Sequence, residues 1–115
     1  MLSSTITIAK APGKWVVRAG GAVIGETENA LELIEEGVSP VIYFPRDDIE
    51  MAFLEPSETV SVSPEKGRAM HYAVVAKSGA IPDIAWSYEE PSEATERVRG
   101  YIAFRTGEKV AVEQI

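Results

Sequence analysis

Apolar and polar residues alternate along several short stretches of the chain, a pattern typical of strands that bury one face. The clearest stretch is 14–27, in which two β-prone runs flank the glycine pair Gly20-Gly21. Both positions of a two-residue hairpin turn require a positive φ, which glycine adopts without strain. We therefore predict a β-hairpin whose register places Val17 opposite Ile24. A phosphate-binding loop would need further glycines and a following helix, which this stretch lacks.

Six further stretches have the composition of strands, with turn residues between them. They are residues 39–45, 59–63, 70–77, 81–88, 101–104 and 109–112. A two-residue turn at 78–79 would place His71 opposite Trp86. The short connections favour antiparallel pairing, because parallel strands need crossovers of about a dozen residues or more.

Two short helices are predicted between the strands. In the first, Thr27 is a suitable N-cap, apolar residues including Leu33 follow at helical spacing, and Gly37 ends the helix. Its glutamates would form a solvated face. The second helix spans Glu93–Arg99 and ends at Gly100.

These elements predict a mainly β fold of the β-rich α+β type. It would contain two packed antiparallel sheets of about seven to eight short strands, together with two short helices. The chain has 115 residues and is 45% hydrophobic, which is sufficient for one core. We therefore expect a single domain over residues 1–115.

The net charge of −7 and the isoelectric point near 4.7 narrow the classes of partner. The eleven lysines and arginines are scattered among eighteen acidic residues. Binding to nucleic acid or to an anionic membrane needs a cationic surface, so we expect neither partner.

The chain contains no cysteine, which excludes disulfides, thiolate catalysis and cysteine-based zinc sites. It has one histidine, and we expect no metal and no cofactor. The first eight residues lack the basic stretch and apolar run of a signal peptide. No apolar stretch approaches the roughly 20 residues that span a bilayer, so we expect a cytoplasmic protein.

Four groups of residues resemble a known family when they are taken in order along the chain. They are the run 39–48 (SPVIYFPRDD), the run 66–69 with Tyr72, the run 85–88 (AWSY) and the run 100–104 (GYIAF). Together they cover most of the chain, and their order and spacing are rather specific. On these residues the chain resembles the domain of unknown function 427 family of bacteria and fungi, which also carries a nucleotidyltransferase-like label.

The resemblance implies a compact fold of two antiparallel sheets, which in some small zinc-binding domains is tent-like. Those domains hold the zinc with two pairs of cysteines, so the metal does not carry over to this chain. The label implies carboxylates that converge on Mg²⁺ and a loop that grips phosphates. Asp47 and Asp48 are adjacent, so their side chains would diverge in a strand or a helix, and this does not fit the label.

Two cationic side chains within these motifs are candidates for binding an anion. Arg46 stands where a strand ends and a polar turn begins, and a guanidinium suits a carboxylate or phosphate. The alternative for Arg46 is an ion pair with the neighbouring acids, which an acidic protein favours. Lys66 lies in a turn, where the alternative is simple exposure to solvent.

The aromatic residues and the histidine are open to two interpretations. His71 would suit a general base near neutral pH, but packing beside Trp86 is the favoured interpretation. Tyr72, Trp86 and Tyr88 are more typical of a core than of a ligand site. No Ser-His-acid set follows from the spacing, so no catalytic residue is assigned.

Two hypotheses of function follow. In the first, which we favour, a cleft binds a small anionic ligand between cations and aromatic rings, with a further group to handle protons. Its residues would be Arg46, Asp47, Lys66, His71, Tyr72, Trp86 and Tyr88. The second is a non-catalytic protein-interaction module or a self-associating module that forms homo-oligomers; exposed strand edges could add a partner strand, and the acidic surface could meet a basic partner.

Overall fold

Ten β-strands and three short 3₁₀ helices make up the fold in the computed structural model, which describes residues 5–77 and 79–115. The strands are β1 (Ile6–Lys10), β2 (Trp15–Ala19), β3 (Ala22–Thr27), β4 (Leu31–Glu35), β5 (Val38–Tyr43), β6 (Leu54–Ser63), β7 (Gly67–Ala76), β8 (Gly79–Pro91), β9 (Ala103–Phe104) and β10 (Val110–Gln114). The 3₁₀ helices are Arg46–Asp48, Met51–Phe53 and Glu93–Val98. The prediction of a mainly β fold is confirmed.

Over the two described ranges the strands form three antiparallel sheets, where the sequence predicted two. The first sheet has the strand order β1-β4-β5, the second β10-β2-β3, and the third β6-β7-β8-β9. The strands of the third sheet are the longest, with β6 to β8 spanning 10 to 13 residues each. The additional sheet exists because a segment predicted to be helical is a strand.

The first predicted helix, over 27–37, is wrong, because this segment forms β4 and the turn into β5. The spacing misleads because Leu31 and Leu33 are also two residues apart, and both are buried in β4 at 9% and 3% exposure. β4 pairs with β1 on one side and with β5 on the other, and this pairing outweighs a weak local preference for helix. Gly37 has a φ of 81° and forms the turn that follows.

The second predicted helix lies where the sequence placed it, but it is a 3₁₀ helix over Glu93–Val98. Its start is fixed by a capping box, in which the backbone N–H of Ser92 donates to Thr95 Oγ1 at 3.1 Å. Thr95 is fully buried and also donates to the carbonyl of Lys66 at 2.6 Å. The helix is therefore attached to the turn between β6 and β7.

The glycine pair forms the predicted hairpin turn between β2 and β3, with φ of 57° at Gly20 and 84° at Gly21. The predicted pairing of Val17 with Ile24 is wrong, because a β-bulge places Val17 opposite Gly25. Packing accounts for the residues at the bulge. Ile24 is buried in the core at 1% exposure. The next residue must be glycine, because a Cβ on Gly25 would lie only 2.7 Å from the carbonyl oxygen of Asp48.

The long hairpin of β7 and β8 has the predicted pairing of His71 with Trp86. Ser78, in the predicted turn, lies outside the described residues. A second bulge interrupts the ladder between Tyr72 and Val74. On the opposite strand the bulge contains Asp83, a non-glycine residue with a φ of 51°.

Two hydrophobic clusters lie on opposite faces of the third sheet. The first contains Tyr72 and Ala85 from this sheet and packs them against the second sheet. The second contains Ala69 and Tyr88 and packs them against the first sheet. Burial of each large apolar side chain contributes about 1.5–3 kcal/mol, so both clusters stabilise the fold. The third sheet thus separates two environments, and this decides which side chains can meet.

No helix in the described part of the chain has the length and apolar character needed to cross a membrane.

A candidate ligand cleft where three sheets meet

The predicted site residues are divided between the two faces of β8. Successive side chains of a strand point to opposite faces. Trp86 and Tyr88 pack with the second hydrophobic cluster, whereas Ser87 contacts Arg46. We call these the Trp86 face, which also carries His71 and Lys66, and the Arg46 face, which also carries Tyr72. The single cleft predicted from the sequence, with Arg46 and Lys66 together, is therefore not formed.

Arg46 is the centre of an internal network on its face. Its Nε donates to the carbonyl of Gly100 at 3.1 Å, and its two terminal nitrogens donate to Tyr72 Oη and Ser87 Oγ at 3.3 Å each. It also forms an ion pair with Glu89. The guanidinium thereby joins the 3₁₀ helix Arg46–Asp48 to β7, β8 and the loop before β9. Arg46 is therefore engaged in contacts within the protein, but its acidic partner is Glu89 and not one of the neighbouring acids Asp47, Asp48 and Glu50 that the alternative interpretation named.

Asp47 and Asp48, beside Arg46, differ in exposure and in contacts. Asp47 is exposed, while Asp48 accepts a hydrogen bond of 2.7 Å from Thr27 Oγ1. Within residues 5–77 and 79–115, no three His, Asp or Glu side chains are gathered in a way that could hold a metal ion. Among the described residues, the Asp47 side chain forms no hydrogen bond or ion pair with another candidate site residue.

Lys66 lies on the Trp86 face and is paired. Its Nζ is 2.8 Å from Glu35 Oε1, and the two side chains are only 27% and 15% exposed. The hydrogen bond to Glu35 raises the pKa of Lys66, and the charge of Glu35 adds to this against the opposing effect of burial. Gly67, with a φ of 99°, allows this tight turn, since a Cβ would lie 2.6 Å from the backbone nitrogen of Ser92.

A small cavity of about 100 Å³ adjoins this ion pair, and Tyr43 and Tyr88 are among its lining residues. Trp86 Nε1 donates to Tyr43 Oη at 3.1 Å. Burial raises the pKa of Tyr43 and of Tyr88, so both hydroxyls stay protonated over the physiological range. The cavity is therefore lined by neutral tyrosines beside a neutralised ion pair.

His71 makes a contact that the sequence did not reveal. Its Nε2 is 2.9 Å from Ser61 Oγ on the neighbouring strand β6. Nδ1 is buried and has no hydrogen-bond partner in the described part of the chain. Since no carboxylate reaches Nδ1 there, the Ser61–His71 pair lacks the acid that orients the histidine of a hydrolase triad.

A larger cleft, of about 550 Å³, is here called the Trp86 cleft. Each of the three sheets contributes to it. Its lining includes Trp15, Glu32, Ser39, Trp86, Arg105 and Thr106. Ser39, Val41 and Trp86 also line the small cavity, so the two spaces are adjacent.

Both tryptophans of the chain line this cleft. Their ring nitrogens are engaged elsewhere, since Trp15 Nε1 donates to the carbonyl of Pro12 at 3.1 Å and Trp86 Nε1 donates to Tyr43. Fixed in this way, the indoles offer aromatic surface to a ligand. Trp86 was a sequence candidate, whereas Trp15 was placed only in the first hairpin.

Arg105 is the cation of the cleft, and sequence reasoning missed it by treating it as a turn residue. Its backbone N–H donates to the carbonyl of Ile84 at 2.7 Å, which fixes the base of the side chain. Among the described residues its guanidinium forms no ion pair. The pKa of Asp83 is lowered mainly by the hydrogen bonds that Asp83 accepts from Ser57 and Thr59, and the positive charge of Arg105 makes a smaller contribution in the same direction. The signal available in the sequence was an arginine directly after the apolar run 101–104.

The comparison with known families shows to which family the chain belongs. The profile of a family described as a domain of unknown function (DUF427) matches residues 7–114, nearly the whole chain. The chain belongs to the DUF427 family. The resemblance inferred from the sequence motifs is thus confirmed. No curated protein matches the chain significantly.

The DUF427 motifs can now be placed on the structure. The run 39–48 contributes to the Trp86 cleft at Ser39 and to the internal network at Arg46. The run 85–88 contributes Trp86 and Tyr88 to one face and Ser87 to the other. Each of these two motifs therefore combines residues that stabilise the fold with residues that line an opening.

Proposed function

We propose that this DUF427 protein binds a small organic anion in the Trp86 cleft. The observation that carries the proposal is an unpaired, exposed arginine at the mouth of a cleft with two tryptophans, in a protein of net charge −7. Six of the eleven lysines and arginines form an ion pair with an acid. Arg105 has none among the described residues, so its guanidinium is available to a ligand.

The dimensions and composition of the cleft support a compact, partly aromatic ligand. A volume of about 550 Å³ lies within the range of about 300–1,000 Å³ that small-molecule sites occupy. Trp15 and Trp86 offer surfaces on which a planar group can pack. The guanidinium of Arg105 can hold a carboxylate or a phosphate with two parallel hydrogen bonds.

The other cations suggested by the sequence have different roles in this proposal. Arg46 is occupied by its network on the opposite face, and Lys66 is neutralised by Glu35. Glu32, at the rim of the cleft, favours a hydrogen-bond donor on the ligand at some distance from its anionic group. The expected ligand therefore combines an anionic end, a planar apolar body and a donor group.

The test uses the intrinsic fluorescence of the protein, because both of its tryptophans line the proposed site. Phenylacetate and phenyl phosphate are the anionic probes, and 2-phenylethanol is the neutral probe of similar shape. We expect a saturable change with the anions and a much weaker one with the alcohol. A charge-assisted hydrogen bond contributes about 1.5–3 kcal/mol, so Arg105→Gln is expected to weaken the anions by about 10- to 100-fold.

Arg68→Gln is the matched control, since Arg68 is also exposed but faces Glu90 at 4.0 Å and does not line the cleft. This variant should change the affinity less than about twofold, as expected of a distant exposed charge. If neither anion gives a saturable change, or if Arg105→Gln binds both as well as the unmodified protein does, the proposal is wrong.

A further inference from the structure

Strand β6 is the longest uncovered sheet edge in the described part of the chain. It has ten residues and pairs only with β7. The other edges are shorter, and several are covered. Arg97 donates to the carbonyl of Ile8 in β1 at 2.6 Å. Phe44, at the end of β5, exchanges two backbone hydrogen bonds with Ile102, and the N–H of Glu50 donates to β3.

A bulge interrupts the pairing of β6 with β7 between Pro56 and Val60, and bulges are one device that protects an edge strand. The regular stretch that follows, from Val60 to Ser63, has no bulge, proline or charge. Charged side chains on an edge prevent it from pairing with another chain. The run Thr59–Ser63 (TVSVS) has no charge, although 25% of the residues of the chain are charged. Val60 and Val62 are exposed at 38% and 72%.

The same run is complementary to itself. If two copies of β6 pair antiparallel about Ser61, Val60 of one copy lies opposite Val62 of the other, and Thr59 lies opposite Ser63. Directly opposite residues share a face of the sheet. Four valines would thus meet on one face and the hydroxyl groups would meet on the other.

The charges at the ends of β6 favour this register. Counted from Ser61, Glu58 is level with Pro64 and Glu65 is level with Ser57; Glu58 lies in the bulge and Glu65 in the turn after β6, so these acids flank the pairing and do not face each other. A shift by one residue in one direction would bring Glu58 level with Glu65, and like charges placed close together are destabilising. Pro56 and Pro64 have no N–H to donate, which limits the pairing to the stretch between them. The one charged residue of that stretch, Glu58, lies in the bulge.

We propose that β6 is a homodimer interface, in which two copies of the chain pair their β6 strands about a two-fold axis through Ser61. The two four-stranded sheets would then form one continuous sheet across the axis. A two-fold pairing uses the same surface on both copies and closes the assembly at two. The second copy is the partner because the run matches itself in side-chain size, polarity and charge.

The test is analytical ultracentrifugation over a range of concentrations, with Val62→Lys as the disrupting variant. The substituted side chain is largely exposed in the single chain, so the fold is retained, but two lysines would enter the interface. We expect the dimer dissociation constant to rise at least 10-fold. Val75→Lys is the control, since Val75 is also exposed, at 40%, but lies on the inner strand β7.

Salt gives a second readout. Each copy carries a net charge of −7, so the copies repel each other, and higher ionic strength is expected to strengthen the dimer. An interface made of ion pairs would show the opposite dependence. A protein that is monomeric at millimolar concentration and high salt would overturn the proposal.

A cross-link locates the axis. The chain has no cysteine, so Ser61→Cys introduces a single thiol. Two residues at the axis of an antiparallel pair have Cα atoms about 4.5–5.5 Å apart, which a disulfide can span. We expect Ser61→Cys to form a disulfide-linked dimer under mild oxidation, whereas Val75→Cys stays monomeric. Equal cross-linking of the two variants, or a dimer that Val62→Lys leaves intact, would place the interface elsewhere and refute the proposal.

Discussion

At the scale of single residues, the cations differ in how many contacts their charged groups make. Arg46 donates to three elements and forms an ion pair with Glu89. Lys66 is paired with Glu35 at 2.8 Å. The side chain of Arg105 forms neither a hydrogen bond nor an ion pair in the described part of the chain. The contacts of each guanidinium or ammonium group thus distinguish these cations, which the type of residue alone could not do.

The role of Arg46 leads to a prediction about stability. Arg46→Lys keeps the charge but cannot donate to Gly100, Tyr72 and Ser87 at once. We expect the free energy of unfolding to fall by about 2 kcal/mol, since the group is partly exposed and several charged hydrogen bonds are lost together. Urea unfolding with an unchanged m value measures this loss.

Arg18→Lys is the control for that experiment. Arg18 forms an exposed ion pair with Glu113 at 3.5 Å, and its side chain is 52% exposed. Its substitution should lower the free energy of unfolding by less than about 0.5 kcal/mol. If Arg46→Lys unfolds like the unmodified protein but no longer binds the anionic probes, Arg46 belongs to the ligand site and its structural assignment is wrong.

At the scale of elements, the sequence predicted hairpins well and predicted less well where the structure depends on distant partners. The β2–β3 turn followed from two glycines, and the pairing of His71 with Trp86 followed from turn length. β4 was misassigned because its leucines fit a helix or a strand locally, and only the pairing with β1 and β5 decides between them. The bulge at Ile24 depends on the core and on Ile49, which is 25 residues further along.

The ion pair of Lys66 and Glu35 connects two elements, the β6–β7 turn and β4, and predicts a dependence on pH. The pKa of Lys66 is raised in the folded state. The stabilisation is therefore complete below the pKa of an unfolded lysine, about 10.4, and is lost as the pH rises through the higher folded value. The raised pKa values of Tyr43 and Tyr88 act in the same direction.

The measurement is the thermal unfolding midpoint between pH 8 and pH 11. We expect it to fall above about pH 10, and to fall less steeply in Lys66→Met, which has no ammonium to titrate. Lys14→Met is the control, because Lys14 is 46% exposed and lies 3.9 Å from Glu26. Parallel curves for the unmodified protein and Lys66→Met would show that the pair does not contribute to stability in this range.

At the scale of the whole molecule, the candidate site results from the convergence of three sheets. Trp15 comes from the second sheet, Glu32 from the first and Trp86 from the third. The sequence could predict that Trp86 belongs to a family motif, but not that a residue 71 positions earlier lies across the same cleft. Periodicity shows which face of a strand is buried, whereas the packing of sheets determines which faces meet.

The same reason explains why the predicted ligand site was divided. Arg46 and Lys66 both lie in family-like motifs, and no local pattern indicates that the third sheet passes between them. Alternation along β8 contained the information in principle, because Ser87 and Trp86 must point to opposite faces. The contact between Ser87 and Arg46 shows which of the two faces of β8 Arg46 lies on.

The most direct test of ligand binding in the Trp86 cleft is a ¹H–¹⁵N correlation spectrum of the protein titrated with phenyl phosphate. We expect saturable shifts at the indole N–H signals of Trp15 and Trp86 and at the backbone amides of Arg105 and Thr106, because these groups border the cleft. The amides around Arg46, on the other face of the third sheet, should stay in place. Shifts that cluster around Arg46 instead, or an absence of saturable shifts, would contradict the account.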